Sequence, residues 1–413
     1  MEQYKKIACR YCDAKLPNAI LELGSMALAN SFLTKDQENE KEFECPLSIT
    51  RCTNCGLVQL THVVPADLMF SNYLYVSSTT ATFRKHFADY ARSMKEKSIK
   101  KENLLAVDIG SNDGLLVSCF INEGMKAVGV EPAKNLSDDA NKRGIETINH
   151  YFDENTVQQI IKKHGKADII TANNVFAHID NSQSVCKNAF DLMSDDGIFV
   201  IEFPYLVTMV DEMLFDMIYH EHLSFIALTP LKFLLARFKL EIFDVDIVSS
   251  HGGSLRVQIQ KMGSKHPISK RVVDMLKSEQ SRGFNDQPIY LDFAEKVYHV
   301  KNKLVGFVDQ AKKEGKTISG YGAPAKGNTL INFCKFTPLK IDYIVDDNPL
   351  KQNMLSPGAK IPVVPSSYLN DHPTDYVIIF AWNFAKEIIE KLQHLKNKGV
   401  KFIVPLPEPT IVS

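Results

Sequence analysis

Residues 104–120 read LLAVDIGSNDGLLVSCF, and no other stretch constrains the fold as strongly. An apolar run ends at Asp108, a glycine turn follows through Gly110, Ser111, Asn112, Asp113 and Gly114, and an apolar helical pattern begins after it. That order is strand, tight loop, helix. The glycines let backbone approach a ligand closely, and the helix N-terminus offers unpaired amides and the positive end of a dipole. The spacing Asp108-x-Gly110-x-x-x-Gly114 lacks the glycine triple of the dinucleotide fingerprint. Further on, residues 128–132 read VGVEP, so a second strand ends in Glu131, where a ribose diol needs an acceptor pair. Each piece alone also occurs in α/β turns that bind nothing. Together, in one β-α-β unit, they outline a cofactor cradle.

The glycine turn resembles the first motif of class I S-adenosylmethionine (SAM) methyltransferases, and the surrounding rhythm agrees with it. Strands are expected at 104–108, 126–131, 145–149, 168–172 and 197–203, separated by helical patterns such as 156–163 and 184–193. Such alternation predicts a mostly parallel sheet covered by helices on both faces, with ligands beyond the carboxyl ends of the strands. Asp108 and Glu131 fall at those ends. The fourth strand exits into Asn173, Asn174, Val175, Phe176, Ala177 and His178, which puts Asn174 and His178 on the ligand side. A lone histidine is as often structural as functional, and the sequence leaves His178 open. Paired strands at 241–248 and 254–260 would close a seven-stranded methyltransferase sheet.

Ahead of this unit stand two CxxC knuckles, Cys9-Arg10-Tyr11-Cys12 and Cys52-Thr53-Asn54-Cys55. Two intervening residues let both thiolates of a knuckle face one ion. A redox pair is the rival, but two matched knuckles favour one tetrahedral, structural zinc. The remaining thiols, Cys45, Cys119, Cys186 and Cys334, are expected to be free. A helix over 82–97 leads from a polar, aromatic loop (72–80) into the first strand of the sheet.

After the fifth strand comes Asp216-Met217-Ile218-Tyr219-His220-Glu221-His222. So many titratable side chains in sequence cannot all belong to an apolar core. On a helix, Tyr219 and His222 would share a face and present a phenol and an imidazole to one reacting carbon. A solvated helical turn is the alternative. Histidines two residues apart do not make the HExxH zinc pattern.

The last third reads as a separate Rossmann-like unit. Phe293, Val297, Val300, Leu304, Val308 and Ala311 repeat at three- and four-residue spacing, a buried helix face. Residues 317–328, TISGYGAPAKGN, form another strand-to-glycine-loop-to-helix turn, with further strands at 341–345, 376–382 and 401–404. Its loop either holds a diphosphate, with Lys326 as the point charge, or is a degenerate copy that binds nothing.

The expected organisation is a zinc-binding domain over 1–75, a SAM-binding α/β domain over 76–262 and a C-terminal Rossmann-like α/β domain over 263–413. The 48 basic and 49 acidic residues balance, so no nucleic-acid footprint is visible. No apolar run approaches the ~18 residues of a membrane span, and no leader is visible, so the chain reads as cytoplasmic. The oligomeric state stays open.

Taken in order, the knuckles, DIGSNDG with GVEP, NNVFAHI, YHEH, HGGSLR and GYGAPAKGN resemble the sugar C-methyltransferases, and the resemblance spans nearly the whole chain. It implies SAM-dependent methylation of carbon 3 of a nucleotide-linked 4-keto deoxysugar. The candidate cofactor contacts are Asp108, Gly110, Asn112, Gly114, Glu131 and Asn174, and Lys326, from its own glycine loop, is the candidate substrate contact. The resemblance implies zinc on Cys9, Cys12, Cys52 and Cys55. Its catalytic positions fall on Tyr75, His178, Tyr219, Glu221 and His222. Of these, His222 is expected to be the base, since imidazole titrates near neutrality. An O-methyltransferase on the same scaffold is the rival reading.

Overall fold

A computed structural model describes residues 2–70, 81–248 and 253–412. Tyr75, with the rest of its loop, and His251 and Gly252 of HGGSLR lie outside the described residues.

The N-terminal part forms an antiparallel sheet of β1 (Leu21–Ala27), β2 (Glu44–Arg51) and β3 (Val58–Leu60), joined by β9 (Ser224–Phe225) from far along the chain. Phe225 pairs with Val58 and Ser224 with Gln59, so the segment just after His222 is stitched to the cysteine-bearing module.

Helices α1 (Ala66–Phe70) and α2 (Ala81–Lys97) lead to the central sheet. It contains β4 (Leu105–Ile109), β5 (Lys126–Val130), β6 (Thr147–Ile148), β7 (Ala167–Asn173), β8 (Met193–Pro204), β10 (Leu240–Val248) and β11 (Ser254–Lys261). The order is β10-β11-β8-β7-β4-β5-β6. Strands β4 to β8 are parallel, and β11 runs against both β8 and β10, closing the seven-stranded sheet as expected. β4 is buried along its length, which is why it reads as an unbroken apolar run with Asp108 as its one polar member. α2 and α3 (Leu115–Asn122) cover one face, packing Tyr90, Met94 and Phe120 on Ala106, Ile169 and Val200.

The third sheet, ordered β14-β13-β12-β15-β16-β17, uses β12 (Ile318–Tyr321), β13 (Ile344–Val345), β14 (Val363–Val364), β15 (Tyr376–Ile379), β16 (Lys401–Val404) and β17 (Thr410–Val412). The helix Pro288–Lys313 buries all six residues of the expected face.

Four expectations change, the first being the 341–345 strand, which is cut to Ile344–Val345. The 145–149 strand is cut to the two residues of β6, because only Gly129 and Val130 of β5 offer it pairing. β15 stops at Ile379, and a 3-10 turn at Trp382–Phe384 follows. The 216–222 segment is not a helix but a 3-10 turn, Phe215–Met217, continued by a tight turn in which His222 N donates to Tyr219 O at 2.9 Å. Nor is it solvated: Asp216, His220, Glu221 and His222 are all buried.

Candidate active site

The cradle is built by glycine geometry. Gly110 and Gly114 have φ of +67° and +77°, and a Cβ on Gly110 would lie 2.3 Å from Val175 Cγ2. The turn can close against the loop after β7 only without a side chain there. Asn112 is also left-handed; its amide donates to Glu131 Oε2 at 2.9 Å, while Glu131 Oε1 accepts from Ala133 N at 2.8 Å. Each oxygen keeps a second lone-pair direction for a diol. Asp108 accepts from Thr171 Oγ1 at 2.6 Å, and its burial pushes the carboxyl up to about 7.

A small cavity of about 30 Å³ lies among Phe87, Asp108, Gly110, Ser111, Asn112, Leu115, Leu116 and Asn173. Around it the buried Ser111 Oγ, Asn174 Oδ1 and both amide atoms of Asn173 find no hydrogen bond of ordinary geometry among the described residues. Buried polar atoms are nearly always paired. A cluster of unpaired ones at the strand ends fits the hydroxyls and amino-acid tail of SAM.

Three rings converge beyond β7 and β8. His222 lies 4.0 Å from Tyr219 and 4.9 Å from His178, centroid to centroid. Leu223 N donates to Ala177 O at 2.9 Å, holding the two loops together. His222 Nδ1 sits 2.7 Å from Met217 O. A carbonyl can only accept, so Nδ1 carries the hydrogen and a neutral His222 has its lone pair on Nε2. His220 differs. Its Nε2 donates to Cys45 O at 3.0 Å, and burial lowers it to about 4, so it is a neutral tie to β2.

Glu221 accepts from Asn30 Nδ2 at 2.6 Å, and burial lifts its carboxyl to about 7. A cavity of about 540 Å³ opens beside His178, its described lining including Tyr4, Lys5, Lys6, Val64, Asp180 and Leu223.

The C-terminal glycine loop is turned inward. Lys326 Nζ donates to Asn383 Oδ1 at 2.7 Å and lies 4.3 Å over the Trp382 ring. Trp382 Nε1 donates to the buried Asp216 Oδ2 at 2.6 Å, and Lys326 also faces that carboxylate. The amide of Ala323 in this loop is taken by Asp346 Oδ2 at 2.7 Å.

At the knuckles, Cys9 Sγ and Cys55 Sγ are 3.5 Å apart, as are Cys12 Sγ and Cys52 Sγ. All four sulfurs lie within 4.8 Å of one another. Tetrahedral zinc with Zn–S of about 2.3 Å needs sulfurs about 3.8 Å apart, so the set fits the ion and leaves no open position.

The chain is 34% identical to the C-methyltransferase NovU of Streptomyces niveus over 405 residues, 98% of this chain and 96% of that one. It belongs to the C-methyltransferase family. Family models agree along its length: a zinc binding domain matches residues 9–70, a methyltransferase domain 83–245 and a C-methyltransferase C-terminal domain 249–407. Solved structures similar to this C-methyltransferase include a SAM-dependent enzyme of Clostridium acetobutylicum, at TM-score 0.36 and 13% identity, covering 48% of this chain and 96% of that one. The magnesium protoporphyrin IX methyltransferase of Synechocystis with bound SAM gives TM-score 0.33 and 11% identity over 43% and 79%. The enzyme is therefore a SAM-dependent C-methyltransferase, with SAM and zinc as its cofactors.

Asn30 and Glu202 were not singled out by the sequence reading, and Asp216 and Arg256 entered it only as members of the titratable run and of HGGSLR, with no role. Asn30 carries no local signal. Glu202, near the end of β8, could have been suspected as the one charged residue in the run Ile198–Pro204.

Proposed function

We propose that the enzyme methylates carbon 3 of a nucleotide-linked 4-keto deoxysugar, with His222 as general base. The observation that carries this reading is the His222 ring: Nδ1–H is tied to Met217 O, so Nε2 is left basic beside Tyr219 and His178. A 4-keto group acidifies the neighbouring C–H, because the carbanion is delocalised as an enolate. His222 Nε2 takes that proton, and Tyr219 and His178, with Tyr75, serve as donors to the developing oxyanion. Glu221 adds a buried carboxyl that titrates near neutrality. SAM supplies an electrophilic methyl on a sulfonium that leaves as a neutral thioether. Asp108, Gly110, Asn112, Gly114 and Asn174 would hold the cofactor, with Glu131 accepting from its ribose. The cavity beside His178, rimmed by Lys5 and by Lys6 in its pair with Asp180, is assigned to the nucleotide, and Lys326, outside that lining, is assigned to the diphosphate.

Enolisation needs no methyl donor, which supplies the test. With S-adenosylhomocysteine bound, wild-type enzyme should exchange solvent deuterium into carbon 3 of a 4-keto sugar nucleotide. His222→Ala should lose exchange and methylation together, by about 10²–10⁴-fold. Retention of both within a few-fold would move the base to Tyr219 or His178. Methylation of a hydroxyl, with no keto sugar turned over, would establish an O-methyltransferase instead.

A further inference from the structure

One buried ion pair near the cradle is used by none of the steps above. Glu202 and Arg256 face each other across β8 and β11, and Glu202 is also the register partner of Asn173 on β7. Asn173 lies two residues beyond Thr171, which pairs with Asp108 on β4. Cross-strand partners and residues two apart share a face, so Asp108, Thr171, Asn173, Glu202 and Arg256 form one polar row along the strand ends. The row begins in the SAM cradle and ends at a cation.

Arg256 Nε and Nη2 donate to Glu202 Oε2 at 3.0 and 2.9 Å, and the guanidinium lies 4.0 Å over the Tyr90 ring. Nη2 also lies 3.3 Å from His86 Nε2. Nη1 makes no hydrogen bond among the described residues. Tyr90 comes from α2, the helix whose Phe87 lines the cradle cavity. Between the pair and the cavity stands Asn173, which lines that cavity and whose buried amide atoms make no hydrogen bond of ordinary geometry among the described residues, with the Tyr90 hydroxyl as a polar neighbour.

A buried ion pair contributes little net stability, because desolvation offsets its attraction. This one is placed where a neutral, two-signed partner is useful. The amino-acid tail of SAM carries a carboxylate and an ammonium, and a Glu–Arg pair receives it without leaving a net charge buried. Guanidinium is also the side chain best matched to carboxylate geometry. We propose that Arg256, oriented by Glu202 and Tyr90, is the residue that binds the carboxylate of the SAM methionine tail, with Asn173 supplying polar contacts to that tail. The His86 contact holds the guanidinium from the α2 side.

The test compares ligands with and without that tail. Binding of S-adenosylhomocysteine and of 5′-methylthioadenosine, which lacks the amino acid, is measured by calorimetry on wild type and on Arg256→Met. Wild type should prefer S-adenosylhomocysteine. Arg256→Met should weaken it by about 10- to 100-fold, the worth of a charge-assisted hydrogen bond, while methylthioadenosine affinity stays within about twofold. Arg256→Lys should recover part of the loss. If Arg256→Met does not fold, the double variant Glu202→Gln, Arg256→Met removes both buried charges and carries the same comparison. Equal loss for both ligands, loss for neither, or a wild type indifferent to the tail overturns the proposal.

Discussion

At Glu221 two opposing effects decide the protonation state. Burial disfavours the carboxylate, the Asn30 amide favours it, and burial wins, lifting the group from 4.5 to about 7. The sign for stability follows from linkage. A carboxyl whose folded value is raised holds its proton longer in the native state, so its contribution is complete below about 4.5 and is lost as pH rises through about 7. At about 1.4 kcal/mol per unit, this is at most about 3.5 kcal/mol. Glu221→Gln should therefore lose roughly 2–3 kcal/mol less stability than wild type between pH 5 and pH 8, measured by urea unfolding. Equal pH dependence in the two proteins would mean that Glu221 titrates normally. Asp108, also raised to about 7, adds a slope of the same sign in both proteins and cancels from the comparison. The neighbouring histidines show how finely position matters: two residues apart, His220 donates through Nε2 to Cys45 O, while His222 donates through Nδ1 to Met217 O.

At the scale of elements, the first zinc knuckle reaches the reaction centre through Arg10. This residue sits between Cys9 and Cys12, is buried, and donates to Leu223 O and, at 3.3 Å, to Ser224 Oγ. Leu223 follows His222 directly, and Ser224 begins the strand that completes the N-terminal sheet. Metal binding at such knuckles is folding energy, so losing it should loosen the segment that carries His222. Cys52→Ser is expected to lose its zinc and, with it, at least tenfold in methyl transfer. Metal analysis with an activity assay checks this; a folded Cys52→Ser protein retaining one equivalent of zinc would assign the ion to other ligands. The glycine turn works in the same economical way: Gly110 permits the contact with Val175 that brings the loops after β4 and β7 together.

At the scale of the whole molecule, the C-terminal sheet contributes to the centre without contributing to the cradle. Asn328, in GYGAPAKGN, donates to Ala29 O at 2.8 Å, and the next residue, Asn30, holds Glu221. Trp382 and Lys326 attend to Asp216, one residue before the carbonyl that holds His222. Lys326→Ala should raise the KM for the sugar nucleotide by about tenfold, as expected for the loss of a hydrogen bond to a charged group. A lowered kcat with unchanged KM would instead make Lys326 a prop for Asp216.

What was legible in the sequence was local. The strand-turn-helix at Asp108 to Gly114, the paired knuckles, and the helix face from Phe293 to Ala311 follow from spacing and backbone preference within a few turns, so those elements appear where expected. The 216–222 segment misled because residue spacing reports a periodicity and not an environment. Asp216, His220 and Glu221 are buried against partners 166, 175 and 191 residues away, and neighbours in sequence cannot reveal them. Asn30 on Glu221, Cys45 on His220, Trp382 on Asp216 and Arg256 on Glu202 are all long-range pairings. The sequence by itself determined which chemistry the chain carries and roughly where each element begins. Tertiary structure decided which nitrogen each histidine donates from and which carboxyls are lifted toward neutrality, because desolvation and hydrogen-bond partners exist only after the three sheets have packed together.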